Sequence, residues 1–143
     1  MKTTSLALAA MLLAAPAFAE VDVANGEKLF NQCQTCHVVA DAEGKVLAGK
    51  NAKVGPNLYG IVGRTAGTYE GFKYGKDIVA AGAAGLVWTP ELLTAYVQDP
   101  ADFLRTTLND RKAKSGMSFK VKKAEDAADL AAFLATFGPT ATN

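Results

Sequence analysis

Two thiols and one imidazole lie within the stretch CQTCH at positions 33–37. Cys33 and Cys36 are the only cysteines of the chain, and His37 is its only histidine. Because thiol and imidazole groups at this spacing can hold a redox centre or a metal, this stretch is the first candidate for chemistry.

The Cys-x-x-Cys-His spacing is compatible with three kinds of chemistry. In an oxidising compartment the two cysteines could form a disulfide. A thioredoxin-type redox site would require a βαβ pattern, which the flanking sequence lacks. Covalent attachment of haem joins both thiols to the vinyl groups and lets the next residue coordinate iron. We favour haem attachment, because this spacing lets both sulfurs reach one edge of a porphyrin. The disulfide is the main alternative.

The first residues of the chain have the pattern of a secretory signal peptide. Lys2 is followed by a short apolar run and by Ala17-Phe18-Ala19, a small-x-small cleavage site. An uncleaved membrane anchor is the alternative, although the run is short and rich in alanine. We therefore expect residues 1–19 to be removed after Ala19. Residues 20–143 would then form a single soluble domain, exported to a bacterial periplasm.

Charge composition argues against a nucleic-acid partner. The chain has fifteen Lys and Arg residues and fourteen Asp and Glu residues. Loss of Lys2 with the leader would balance them, so no global positive charge remains to attract phosphate. The same cleavage would leave Met117 as the only methionine.

Apolar periodicity and turn residues predict an all-α domain with long loops and no strand-like alternation. Thr89-Pro90 begins one helix and Asp99-Pro100 ends it, with a further turn or two to about Leu104. The other predicted helices cover 23–36, 75–83 and 124–137, with Gly26 and Phe30 on one face of the first and Leu130 and Phe133 along one face of the last. Because loops dominate the rest, a buried haem would supply the apolar centre that they lack.

The chain resembles a class I c-type cytochrome of the bacterial cytochrome c2 type, over essentially all of residues 20–143. The motifs that carry the resemblance are CQTCH at 33–37, GPNLYG at 55–60, GR at 63–64, Trp88, LTAYVQDP at 93–100, GMSF at 116–119 and AAFLATF at 131–137. The resemblance implies N- and C-terminal helices that cross, and loops wrapped around one covalently bound haem c attached through Cys33 and Cys36. Residues 101–116 are longer than in the shortest family members, which leaves the path of the following loop open.

The resemblance implies that His37 and Met117 are the axial ligands of the iron. Since His37 is the only histidine, a second histidine ligand is impossible. A thioether is a soft donor that suits reduced iron, and it raises the reduction potential. The alternative for Met117 is a gap-filler in the core. Its flanking sequence is nevertheless polar and has no apolar helical stripe.

Five further positions match the family's haem pocket. Pro56 matches the proline whose carbonyl accepts the proximal imidazole N–H, although a plain turn is the alternative. Arg64, Tyr74 and Trp88 match residues that hydrogen-bond or neutralise the buried haem propionates. Tyr96 matches a residue near the methionine sulfur. For the three aromatic residues, ordinary core packing is the other interpretation.

Six basic residues and no acidic ones occupy positions 111–123, around the methionine loop. Such a run is often only a solvated face. Beside a redox centre, a local positive ring is better explained as a docking surface for acidic partners. The candidate docking residues are Lys112, Lys114, Lys120, Lys122 and Lys123.

The expected function is electron transport by a monomeric carrier rather than catalysis, because two filled axial positions leave iron without an open site. Electrons would come from a quinol–cytochrome c oxidoreductase and pass to a photosynthetic reaction centre or to a terminal oxidase or reductase of a respiratory chain. A haem enzyme or gas sensor with a vacant distal site is the competing class. A thiol oxidoreductase without haem is a third.

Overall fold

The computed structural model describes residues 20–138. The expected leader, its cleavage after Ala19 and residues 139–143 lie outside the described residues. The helices are α1 (Val23–Phe30), α2 (Lys76–Ala83), α3 (Pro90–Gln98), α4 (Pro100–Leu108) and α5 (Ala124–Ala135), and the strands are β1 (Val38–Ala40) and β2 (Val46–Gly49).

Helices α1 and α5 cross at a point where their backbones touch. A Cβ on Gly26 would lie 2.1 Å from the carbonyl oxygen of Asp129, so only glycine fits there. One turn further along, the rings of Phe30 and Phe133 pack with their centroids 5.7 Å apart. The predicted meeting of the terminal helices is therefore confirmed, and it brings the end of α1, where the cysteine motif begins, onto the core.

A buried carboxylate fixes the start of α1 against α5. Asp129 is 8% exposed and accepts hydrogen bonds from the Asp22 backbone N–H at 2.7 Å and from Asn25 Nδ2 at 2.8 Å. Asp22 in turn caps α1 by accepting from the Asn25 backbone N–H at 2.9 Å. Because both oxygens of Asp129 have partners, the charge is tolerated inside the fold.

Asp99-Pro100 serves both α3 and α4. It ends α3 as predicted, but the chain then continues as a full helix to Leu108 instead of one or two turns. Asp99 accepts from the Asp102 backbone N–H at 3.1 Å, and Pro100 occupies a first-turn position where no N–H is needed. Helix α4 ends at Asn109, which adopts a left-handed conformation with φ 49°. The first half of the 101–116 stretch is therefore ordered as this helix.

Two other predictions about local structure are wrong. Helix α1 ends at Phe30, and residues 31–36 form turns where the helix was predicted to continue. Residues 38–49 contain a two-stranded antiparallel hairpin with a bulge after Val39, in a region where no strand was predicted. The hairpin escaped detection because Val38 and Val39 are both buried, which removes the alternation expected of a strand.

The remaining helices pack against one another and against α5. Helix α3 packs on α4 and α5, and α2 packs on α4. Helix α2 begins one residue later than predicted and ends as predicted. Within residues 20–138, none of the helices combines the length and the apolar character that crossing a membrane requires.

Candidate cofactor site

The two cysteines lie in the tight turns that follow α1. The Cys33 N–H donates to the Phe30 carbonyl at 2.8 Å, and the His37 N–H donates to the Cys33 carbonyl at 2.9 Å. Both thiols are half-buried and are not bonded to each other. Burial, aided by the charge of Cys36, raises the pKa of the Cys33 thiol to about 11. Thiol redox enzymes need a lowered thiol pKa instead, so this environment argues against the thiol oxidoreductase.

The imidazole of His37 is oriented by one hydrogen bond. Its Nδ1 lies 2.9 Å from the carbonyl oxygen of Pro56. Because a carbonyl can only accept, Nδ1 carries the proton and Nε2 keeps a free lone pair. Burial lowers the pKa of His37, and the bond to Pro56 opposes that shift only in part. The ring is therefore held neutral, which is the form that coordinates a metal.

Gly55 provides the space for this ring. A Cβ at Gly55 would lie 2.3 Å from Cε1, 2.6 Å from Nδ1 and 2.8 Å from Nε2 of His37. The Gly55 N–H also donates to the Cys36 carbonyl at 2.7 Å, which ties the two segments together. Sequence reasoning assigned Gly55 no role. Its position directly before the proline that orients His37 was the available signal.

Asn57 fastens the same segment to strand β1. Its Oδ1 accepts from the Ala40 N–H and from the Tyr59 N–H, both at 3.0 Å. Its Nδ2 donates to the Ala40 carbonyl at 2.7 Å. Sequence reasoning missed this residue, because an Asn after a proline is also the ordinary composition of a turn.

Arg64 and Tyr74 are brought together, as two residues of one pocket should be. The guanidinium donates to the Asn57 carbonyl at 2.9 Å and to the Tyr59 carbonyl, and it lies 4.9 Å from the centre of the Tyr69 ring. Burial lowers the pKa of Arg64, and Tyr74 is the main group that opposes this shift. Burial raises the pKa of Tyr74, while bonds to Tyr69 and Arg64 act in the opposite direction.

Trp88 links Arg64 to aromatic residues of helices α3 and α4. Its backbone N–H donates to the Arg64 carbonyl at 2.9 Å. Its indole is 4% exposed and packs edge-on against Tyr96 at 4.9 Å and in a stacked arrangement against Phe103 at 5.8 Å. These contacts fit both interpretations of Trp88, because a residue lining a cofactor can also be part of the core.

The methionine loop is linked to Tyr96 through a serine. The Tyr96 hydroxyl lies 3.1 Å from Ser115 Oγ, and the same Oγ accepts from the Met117 backbone N–H at 3.0 Å. Burial raises the pKa of Tyr96, so its hydroxyl stays protonated. Tyr96 thus lies near Met117, as the resemblance implied. Ser115, which makes the connection, was missed because a short polar loop offers many candidates for such a contact.

Three of the five candidate docking lysines line a cavity of about 340 Å³ between α1, α5 and the segment after Met117. Cys33 and Phe119 line this cavity together with Lys120, Lys122 and Lys123. The side chains of all five candidate lysines are on exposed residues, but Lys120 forms an ion pair with Asp99 at 2.6 Å. A positive surface therefore borders the first cysteine of the motif.

The donor set suits iron that is already held by a porphyrin. Residues 20–138 contain no group of three or more His, Cys, Asp or Glu side chains that could hold a metal ion by themselves. Two neighbouring thiols, an imidazole with a free Nε2 and a thioether on a separate loop are instead the side chains that attach and ligate haem. The space that Gly55 leaves for the His37 ring supports the same fit.

Comparisons with known sequences and structures all point to the same protein family. The sequence model of cytochrome c matches residues 23–138. The chain is 54% identical to cytochrome c2 of Rhodobacter capsulatus over 133 residues, which cover 93% of this chain and 94% of that protein. It is 46% identical to cytochrome c-550 of Paracoccus denitrificans over 137 residues, which cover 94% and 86%. The crystal structure of cytochrome c2 from Rhodobacter sphaeroides superimposes with a TM-score of 0.80 at 54% identity, covering 82% of this chain and 97% of that one.

Proposed function

The chain belongs to the cytochrome c family, with the class I fold of the bacterial cytochrome c2 type, and from this premise we propose that it is a soluble periplasmic shuttle of single electrons. It carries one haem c, attached covalently through Cys33 and Cys36. Its general role is that of an electron-carrying haem protein that meets redox partners. The ligand set, the compartment and the identity of those partners are what the proposal adds.

His37 is proposed as the proximal ligand, and the bond from its Nδ1 to the Pro56 carbonyl is the observation that carries the proposal. This bond fixes the ring plane and directs Nε2 away from Pro56. It also makes the imidazole a stronger donor to a metal. Gly55 leaves room for the ring, because a side chain at this position would occupy the same space.

Met117 is proposed as the distal ligand. It is half-buried, although its neighbours Gly116 and Ser118 are exposed, and Ser115 orients its backbone. The haem supplies a one-electron ferric/ferrous couple, whose potential a thioether ligand raises. With the His37 imidazole and the Met117 thioether both bound to the iron, no site would remain for a substrate, so the protein would carry electrons and would not act as an enzyme.

Arg64, Tyr74 and Trp88 are proposed to hold the haem propionates, and Tyr96 to tune the environment of Met117. The proximity of a guanidinium and a phenol at Arg64 and Tyr74 supports the first assignment, because buried carboxylates need such donors. Since the Arg64 guanidinium also donates to two backbone carbonyls, its proposed part is to supply positive charge beside the propionates.

The proposed electron donor is a quinol–cytochrome c oxidoreductase, and the proposed acceptor is a photosynthetic reaction centre or a terminal oxidase or reductase. The basic surface around the cavity at Cys33 supports docking there, because a partner seated on it would approach an attachment cysteine of the haem. Acidic partner surfaces would be steered to this side by its charge. The protein would act as a monomer.

One set of spectra tests the ligation. The purified holoprotein should show the bands of a low-spin haem c in both redox states, and the ferric form should show the far-red band of a methionine ligand. The reduced protein should not bind carbon monoxide at neutral pH. Rapid binding of carbon monoxide would instead favour the haem enzyme or gas sensor with an open distal site. Mass spectrometry of the exported protein should give an N-terminus at Glu20.

A further inference from the structure

A buried carboxylate outside the haem-pocket motifs holds the methionine loop. Asp77, in the first turn of α2, is 9% exposed. Its Oδ2 accepts from the Lys114 backbone N–H at 2.8 Å, across thirty-seven positions of sequence. The bond uses only the backbone of Lys114, whose side chain belongs to an exposed residue.

The bond lies where it can control Met117. Lys114 comes directly after Ala113, which is 1% exposed, and directly before Ser115, which bonds to Tyr96 and to the Met117 N–H. The loop before the methionine is therefore attached to α2 by a carboxylate and to α3 by a hydroxyl. Since a hydrogen bond to a charged group is stronger than one between neutral groups, Asp77 provides the stronger of these two attachments.

We propose that Asp77 is a positioning residue for Met117: by binding the Lys114 N–H, it keeps the loop against α2 and limits how readily the thioether can leave the iron. This inference rests on the proposed ligation by Met117. When the ligand dissociates, the loop must move outward, and the Asp77–Lys114 bond opposes that movement. The bond thereby favours the closed loop over an open one.

Imidazole binding to the ferric holoprotein tests this proposal, because imidazole can occupy the distal position only when Met117 has left it. Asp77→Ala should raise the apparent imidazole affinity roughly tenfold, which is the effect expected for the loss of one hydrogen bond to a charged acceptor. Asp77→Asn keeps an acceptor oxygen and should stay within about threefold of the wild type. Asp102→Ala is the matched control, because it removes an exposed carboxylate from the first turn of the neighbouring helix α4.

A second measurement does not depend on the ligand. The Lys114 amide proton should be protected from exchange in the wild-type holoprotein, should exchange roughly tenfold faster in Asp77→Ala and should be unchanged in Asp102→Ala. If Asp77→Ala does not accumulate, protection of this amide in the wild type and in Asp77→Asn still decides the matter. An unprotected Lys114 amide would overturn the proposal.

The outcomes separate this inference from the proposed function. If the wild type itself binds imidazole as tightly as Met117→Ala does, the methionine ligation is wrong. If Met117→Ala binds imidazole much more tightly than the wild type while Asp77→Ala matches Asp102→Ala, ligation stands and the positioning role of Asp77 is overturned. Raised affinities of equal size for Asp77→Ala and Asp102→Ala would assign the effect to the loss of a negative charge and would likewise overturn it.

Discussion

The two walls of the haem site are built in different ways. The proximal wall, residues 33–64, holds His37 through contacts between neighbouring stretches of backbone, with Gly55, Pro56 and Asn57 all bonded to or packed against the residues around His37. The distal wall, residues 109–123, holds Met117 through side chains from other helices, Asp77 of α2 and Tyr96 of α3. The first wall is rigid because it is local, whereas the second depends on long-range contacts.

This difference suits electron transfer. If His37 ligates the iron as proposed, its fixed imidazole would hold the iron in both oxidation states, so little would have to reorganise when one electron enters or leaves. The distal loop can be adjusted by single side chains, because each of its attachments is one hydrogen bond.

The largest expected difference between the two walls is in the yield of holoprotein when one methyl group is added to each. Gly55→Ala should abolish assembly of the holoprotein, because the new Cβ would lie 2.3 Å from the His37 ring, which its hydrogen bond to Pro56 holds in place. Gly116→Ala, directly before Met117, meets no atom within 4 Å and should give normal yields. The yield of haem-stained protein after export measures both. Similar yields for the two variants would contradict a rigid proximal wall.

The same difference explains how much the sequence could predict. CQTCH and GPNLYG are contiguous motifs, so Cys33, Cys36, His37 and Pro56 could be placed without a structure. The crossing of α1 and α5 was also predictable, from Gly26 and the apolar stripe of α5. Asp77 and Ser115 bond to residues thirty-seven and nineteen positions away, and nothing in their local sequence marks them. The hairpin at 38–49 was missed and helix α4 was predicted too short, because burial and capping, not periodicity, determine them.

The next largest effect tests the ligand on the distal wall. Met117→Ala should leave the haem attached, since both cysteines and His37 remain. It should lower the reduction potential on the order of 0.2 V, because axial ligands span roughly 0.8 V. The reduced variant should also bind carbon monoxide. Redox titration and an absorption spectrum under carbon monoxide measure these changes. An unchanged potential and an unchanged far-red band would exclude Met117 as the ligand.

A third test compares polar contacts on the two walls. Asn57→Ala removes three hydrogen bonds to the backbone of Ala40 and Tyr59, and it should lower the free energy of unfolding by about 2–4 kcal/mol. Asn51→Ala, at an exposed position of the adjoining loop, is the control and should change it by less than about 0.5 kcal/mol. Denaturant unfolding of the oxidised holoprotein measures both. Equal midpoints would mean that Asn57 does not fasten the proximal wall.

On the distal wall, Tyr96→Phe should cost only about 1 kcal/mol, because it removes one hydrogen bond and keeps the ring packed on Trp88. Its effect should instead be visible in the potential, since Ser115 loses the partner that helps it orient Met117. Ser115→Ala should shift the potential in the same direction. Substitutions on the proximal wall would then mainly change the free energy of unfolding, whereas substitutions on the distal wall would mainly change the reduction potential. Opposite shifts for these two variants would contradict a single Tyr96–Ser115–Met117 connection.

The smallest expected effect concerns partners, which should dock on the distal side alone. Lys122→Glu, beside the cavity at Cys33, should slow association with a purified reaction centre or oxidase about threefold at low salt through the on-rate. The effect should fade with added salt, because exposed charges are screened beyond roughly 8 Å at physiological ionic strength.

Lys45→Glu, in the hairpin that follows His37, changes the net charge equally at an exposed position and is the matched control. Lys120 is a less clean probe, because its partner Asp99 would be left facing a new negative charge. Flash or stopped-flow kinetics at several salt concentrations would compare the two reversals. Equal slowing by Lys45→Glu and Lys122→Glu would mean that total charge governs the encounter, and the docking face would then not be the surface around Met117.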